Sequence, residues 1–242
     1  IACFHQAWSP RRATPTTFSS TTIVFAEEKS QEYRNKVTEV LSSFMGKSLE
    51  DADPLSAIDF AAPKLSRKMD LPSLASALDA ELLEKEWFVT GQVNPIFFSD
   101  SFKFQDPDVK LEGIEEYARG VNKLFDQETS RAEIISTEVN DALPNTITCT
   151  WRLSGKVNIG PGLPIKPYIV YTDLEVDPKT GLIVFQEDRF DIPQWDILLS
   201  ALFPFLIGKV TASPAPPVAP RPKQESKPDD KSPLSFLGQF FK

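Results

Sequence analysis

Nucleophilic, acid–base and metal chemistry in proteins leans on histidine and cysteine, and this chain is nearly without both. Its 242 residues hold one histidine, His5, and two cysteines, Cys3 and Cys149. His5 and Cys3 lie in an N-terminal stretch expected to be removed. The remaining chain then has no histidine, which excludes a Ser-His-Asp triad, a Cys-His pair and histidine-ligated metals. Cys149 alone supports neither a disulfide framework nor a cysteine zinc site. The sequence calls for no metal and no cofactor.

Charge narrows the partners. The net charge is −8, with 41% apolar and 25% charged residues, as in an ordinary soluble domain. Residues 1–26 carry +2 and residues 211–242 carry +2, which leaves −12 on the body between them. An acidic body argues against nucleic acid, whose binding rests on neutralising phosphates with Lys and Arg.

The chain divides by composition. Residues 1–26 are rich in Ser and Thr, contain Arg11 and Arg12 and lack acids, which is the composition of an organelle transit peptide. Dominance of hydroxylated residues places the chloroplast ahead of the mitochondrion; an N-terminal arm that stays attached is the alternative. Residues 27–70 read as a helical extension and linker, with a helix over Gln31–Met45. Residues 71–209 form the main domain, and 210–242 a disordered tail with seven prolines between Pro214 and Pro233. The tail ends in an apolar cluster over 234–241, which suits docking to a partner or membrane surface, or folds back.

Within 71–209 the periodicity changes once. Leu74, Leu78, Leu82, Leu83 and Trp87 or Phe88 make a helical stripe from Pro72 to about Phe88. A short strand containing Phe102 and Phe104 closes in a turn at Asp106-Pro107-Asp108, and a helix follows over Ile114–Phe125. From Arg131 the period is two. Ile147, Cys149, Trp151 and Leu153 share one face of the clearest half-buried strand. Strands over Pro167–Val176 and Leu182–Ile192 flank the turn Asp177-Pro178-Lys179-Thr180-Gly181. Helices followed by long strands joined by turns indicate an α+β domain with an antiparallel sheet.

This order resembles the nuclear-transport-factor-2-like superfamily, which includes the SnoaL-like proteins. The residues that carry the resemblance are Phe102-Lys103-Phe104-Gln105-Asp106-Pro107, the spacing to Gly113 and Tyr117, Trp151, and Gly181-Leu182-Ile183 leading to Asp188 and Asp191. It covers roughly 71–195 and is nearest to a plant and algal plastid group, some of whose members are joined to haem-binding domains. The resemblance implies a cone, a strongly curved sheet wrapped round helices with a pocket at its open end. It includes isomerases, cyclases, dehydratases and non-enzymatic binders, so fold alone does not decide function.

Proton-transfer enzymes of that superfamily use a carboxylate or histidine in an apolar pocket. Here the candidates are Asp106, from the Asp-Pro turn, and Asp188 on the last strand. The plainer account of Asp106 is a turn residue that bonds its own backbone. Asp188 and Arg189 occupy opposite faces, so at most one points inward; for these two and Arg152 a solvated face with cross-strand ion pairs is the favoured account. Phe104, Tyr117, Trp151, Tyr171, Gln186 and Arg189 are the expected pocket residues, although aromatics there more often form plain core.

The segment from Ile192 to Ile207 is nearly all apolar. It is too short and too broken by proline to span a bilayer. It suits docking through Trp195, Leu199 and Phe203 on a membrane interface or a protein, or a helix that plugs the cone or covers a homodimer face. The leading expectation is a non-catalytic plastid protein that binds a hydrophobic small molecule or a partner. The alternatives are an isomerase or cyclase using a pocket carboxylate as base, and a tetrapyrrole carrier.

Overall fold

The computed structural model describes residues 53–219 and 221. The expected transit peptide, the Gln31–Met45 helix and the 234–241 cluster lie outside these residues.

Helix α1 spans Leu71–Lys85. Asp70 caps it by accepting from the Ser73 N–H at 2.8 Å, and Pro72 fits the first turn, where its missing N–H has no helical partner. The apolar stripe continues to Phe88, but the helix does not. Glu86 turns left-handed (φ 46°) and its carboxylate accepts from the Ala132 N–H at 2.9 Å. The chain restarts as the single turn α2, Trp87–Thr90, which ends at Gly91. Gly91 has φ +71°, and a Cβ there would stand 2.2 Å from the Ala118 carbonyl oxygen. Glycine is therefore required both by conformation and by close approach.

The strands are β1 (Phe98–Gln105), β2 (Lys110–Glu112), β3 (Arg131–Val139), β4 (Thr146–Val157), β5 (Leu163–Val176) and β6 (Ile183–Phe190), with helix α3 (Ile114–Leu124) between β2 and β3. They form one sheet in the order β2-β1-β6-β5-β4-β3. The expectation of a wholly antiparallel cone needs correction. The sheet is mixed, because β1 runs parallel to β6, with Phe104 opposite Gln186. It is also open, with β2 and β3 at its edges. A register shift at Leu153/Gly155 interrupts the β4–β5 ladder where Gly155 lies against Ser130.

The inner face carries Ile147, Cys149, Trp151 and Leu153 from β4, as the alternation of that strand requires. Against it pack Trp87 and Phe88 of α2 and Tyr117 of α3, all nearly inaccessible. Phe88 stacks on Trp151 with centroids 4.9 Å apart and planes 16° apart. Residues 53–70, expected as part of an extension and linker, join this core through Leu55, Ile58, Phe60 and Leu65.

After β6 comes α4, Gln194–Leu202, whose polarity is inverted. It buries Asp196 and Ser200 while Trp195, Leu198 and Leu202 face outward. The reason is Lys166 of β5, which pairs with Asp196; the two side chains are 1% and 3% exposed. Asp196 also accepts from the Ala212 N–H at 2.7 Å and the Ser200 hydroxyl at 3.2 Å. Burial alone would raise this carboxyl, but the Lys166 hydrogen bond and charge, with those donors, hold it below the usual carboxylate value. The first part of the expected disordered tail is likewise held. The Ala215 N–H donates to the Pro167 carbonyl at 2.8 Å, the Ala215 carbonyl accepts from Arg152 at 3.0 Å, and Arg221 pairs with Asp79 of α1.

Removing one partner of a buried ion pair strands the other charge. Asp196→Ala is expected to lower unfolding stability by about 3–5 kcal/mol. The double substitution Lys166→Met with Asp196→Leu is expected to lose much less, as measured by urea denaturation.

Candidate functional site

The side chains that could do chemistry meet where β1, β6 and β5 lie side by side under α3. On β6, Gln186 and Asp188 point to the inner face, and Thr172 of β5 stands opposite Asp188 in the ladder. The Trp151 indole N–H donates to the Thr172 hydroxyl at 2.9 Å, which donates to Asp188 Oδ1 at 2.7 Å. The Gln186 amide N–H₂ donates to Asp188 Oδ1 at 3.2 Å and to Tyr117 Oη at 3.1 Å. Five side chains from four elements thus form one polar chain inside an aromatic core. It leaves one atom over: Gln186 Oε1 is buried without a partner among the described residues. A buried acceptor without a donor is uncommon and marks a strained or functional place.

Asp188 is half-buried, and desolvation pushes its carboxyl up to about 7. The hydrogen bonds from Thr172 and Gln186 oppose the shift, and the charges of Asp106 and Asp173 add to it. Asp106 closes β1 as a turn residue. Its Oδ1 accepts from the N–H groups of Asp108 and Val109 at 2.7 and 2.5 Å. Desolvation outweighs these bonds and raises Asp106 to about 6. The parallel register that sets Phe104 beside Gln186 ends at Gln105 opposite Glu187, so the turn that follows carries Asp106 to within reach of the Asp188 charge. Tyr168, whose hydroxyl is raised first by burial and then by the charges of Asp106 and Asp188, belongs to the same mouth, with Phe190 against its ring at 5.6 Å. The result is two carboxyls raised by burial whose charges act on the hydroxyls of Tyr117 and Tyr168.

Of the expected site residues, the structure brings Phe104, Asp106, Tyr117, Trp151, Gln186 and Asp188 together. Tyr171 and Arg189 are not among them. They occupy the opposite face, where Arg189 lies 5.8 Å from the Tyr171 ring centroid and pairs with Asp173 at 2.6 Å. Arg152 pairs with Glu133 on that face too. Of the expected docking residues, Trp195 and Phe203 are exposed and Leu199 is half-buried. Sequence reasoning missed Thr172 and Tyr168. The signal for Thr172 was available: it is the polar member of the inward series Val170, Thr172, Leu174.

Beside Gln186, Phe104 packs against Tyr117 with ring centroids 4.9 Å apart. A surface groove of about 290 Å³ lies elsewhere, lined by Lys68, Leu71, Asn145, Val176, Asp177 and Pro178 at the β5–β6 turn. Cys149 is buried and desolvation raises its thiol, so it is not poised as a thiolate. Among the described residues, no group of three or more His, Cys, Asp or Glu side chains is placed to hold a metal ion.

The chain matches no protein-family model and no curated protein. Solved structures similar to it are nuclear-transport-factor-2-like and SnoaL-like proteins. One from Burkholderia thailandensis is 15% identical with a TM-score of 0.41, covering 55% of this chain and 98% of its own. A putative SnoaL-like polyketide cyclase from Jannaschia sp. is 15% identical, with a TM-score of 0.39 and coverage of 56% and 96%. An LEH-like epoxide hydrolase from M. tuberculosis is 17% identical, with a TM-score of 0.35 and coverage of 55% and 88%. Likeness at this level carries no inference about activity.

Raised carboxyls have a thermodynamic consequence. Burial in the folded chain raises Asp106 to about 6 and Asp188 to about 7, so folding favours their protonated forms relative to the unfolded chain. Stability from these groups is therefore fully present below about pH 4 and lost as pH rises to about 7. Asp188→Asn is expected to flatten that fall in thermal unfolding midpoints; an unchanged slope would remove Asp188 as its source.

Proposed function

We propose that this chain is a non-catalytic protein that binds an uncharged hydrophobic small molecule bearing one hydroxyl or carbonyl group at the Asp106–Asp188 mouth. One observation carries the reading: the Asp188 carboxyl, which burial raises to about 7, is hydrogen-bonded to a buried amide that also holds Tyr117 and whose own acceptor lacks a partner among the described residues. Aromatic walls favour an apolar body. A pair of carboxyls with raised values accepts from a hydroxyl or, when protonated, donates to a carbonyl, and it repels an anionic headgroup. The packed interior supports binding at the mouth rather than chemistry in an enclosed chamber.

The second reading, an isomerase or cyclase with Asp188 as general base, is favoured by its value of about 7, close to what a base needs at neutral pH. The acid-free, hydroxyl-rich residues 1–26 support a plastid as the compartment.

Native mass spectrometry of the full chain, followed by titration with uncharged terpenoid alcohols and ketones, tests the proposal. Binding is expected to weaken at least about tenfold in Asp188→Asn, and the corresponding carboxylic acids are expected to bind more weakly than the alcohols. A chain that retains no ligand from the panel would overturn the binding reading. Turnover lost in Asp188→Asn or Asp106→Asn would establish the second reading instead.

A further inference from the structure

Helix α4 and the turn after it present an unusual surface. Trp195, Leu198 and Leu202 line the outward stripe of α4 and are 57%, 49% and 50% exposed. Pro204 then breaks the helix and starts a 3-10 turn, Pro204–Leu206, beside which Phe203 and Phe205 stand edge to face with centroids 6.1 Å apart. Phe205 is 68% exposed, and Val210 adds to the patch. An amphipathic helix ordinarily turns such residues inward. Here the buried Lys166–Asp196 pair holds the helix the other way round.

We infer that this patch is a docking surface for a lipid bilayer interface, with Trp195, Leu198, Leu202, Phe203 and Phe205 entering the headgroup and acyl boundary. Charge distinguishes it from the rest of the molecule. Between Asp196 and Arg221 the sequence has no acid and a single charge, Lys209. The inversion also removes Asp196 from the surface. A body with a net charge of −12 is repelled by phosphate headgroups, and the patch segment itself adds no acid to that repulsion. Trp, Phe and Leu on one exposed face, close to a lysine, are the side chains that settle at the interface. Size argues against a second copy. Three half-exposed aromatics and three aliphatics offer roughly 500–600 Å² in all, short of the about 800 Å² per partner of a stable interface. Among the described residues no helix is long and apolar enough to cross a membrane, so the contact lies on the surface.

Flotation of the purified full chain with phosphatidylcholine–phosphatidylglycerol vesicles tests this. The chain is expected to float, and Trp195→Ser with Phe205→Ser is expected to lower its partition at least about tenfold. Ile135→Ser, on the exposed side of β3, serves as the control and is expected to float as the parent does. Circular dichroism melts show that both variants fold. A parent chain that stays unbound, or a double variant that floats equally well, would overturn the inference. So would a dimer in sedimentation that the double substitution splits, because a second copy would then cover the patch. None of these outcomes depends on ligand binding at Asp188.

Discussion

The parallel pairing of β1 with β6 is the contact on which the rest of the structure depends. The two strands are far apart in sequence, and their register sets Phe104 against Gln186. Everything at the mouth follows from that alignment. It brings the Asp106 turn beside Asp188, and it places Phe104 and Phe102 under the ring of Tyr117. Without it, β1 and β2 would be an isolated two-stranded hairpin, which is marginal in water. The long-range closure is compensated by the apolar inner face it completes.

That inner face tolerates a polar chain because nearly every member is satisfied. A buried hydroxyl or carboxyl without a partner costs a few kcal/mol, whereas a connected network approaches neutrality and fixes side-chain geometry. Trp151, Thr172, Asp188, Gln186 and Tyr117 each have a partner within 3.2 Å. The shortfall is concentrated on one atom, Gln186 Oε1, and in the raised carboxyls. Elsewhere among the described residues, Thr137 Oγ1 of β3 and Thr211 Oγ1 are also buried without a partner.

Much of this was legible in the sequence, and the gaps have physical causes. The alternation of Ile147, Cys149, Trp151 and Leu153 identified β4 because one face is buried and the other bonds outward. The strong amphipathic spacing of Ile114, Tyr117 and Ala118 identified α3. The stripe through Phe88 overran the true end of α1, since nothing local shows that the Glu86 carboxylate is needed by the backbone of β3. The direction of β1 was invisible because parallel and antiparallel partners share the same period of two. Strand parity assigned Asp188 and Arg189 to opposite faces but left open which face was inner. The inversion of α4 escaped because its cause, Lys166, lies 30 residues upstream.

Lys166 and Asp196 also fix how α4 sits beside the Asp106 turn. A buried ion pair adds little net stability, since desolvation of two charges offsets most of their attraction. What it does supply here is orientation: with Asp196 drawn inward, the apolar stripe of α4 has no direction left but outward. The N-terminal end of that helix reaches the mouth, where the Gln194 amide donates to Asp108 at 3.1 Å, two residues from Asp106. The outward stripe of α4 and the Asp106 turn are therefore linked by one side-chain hydrogen bond.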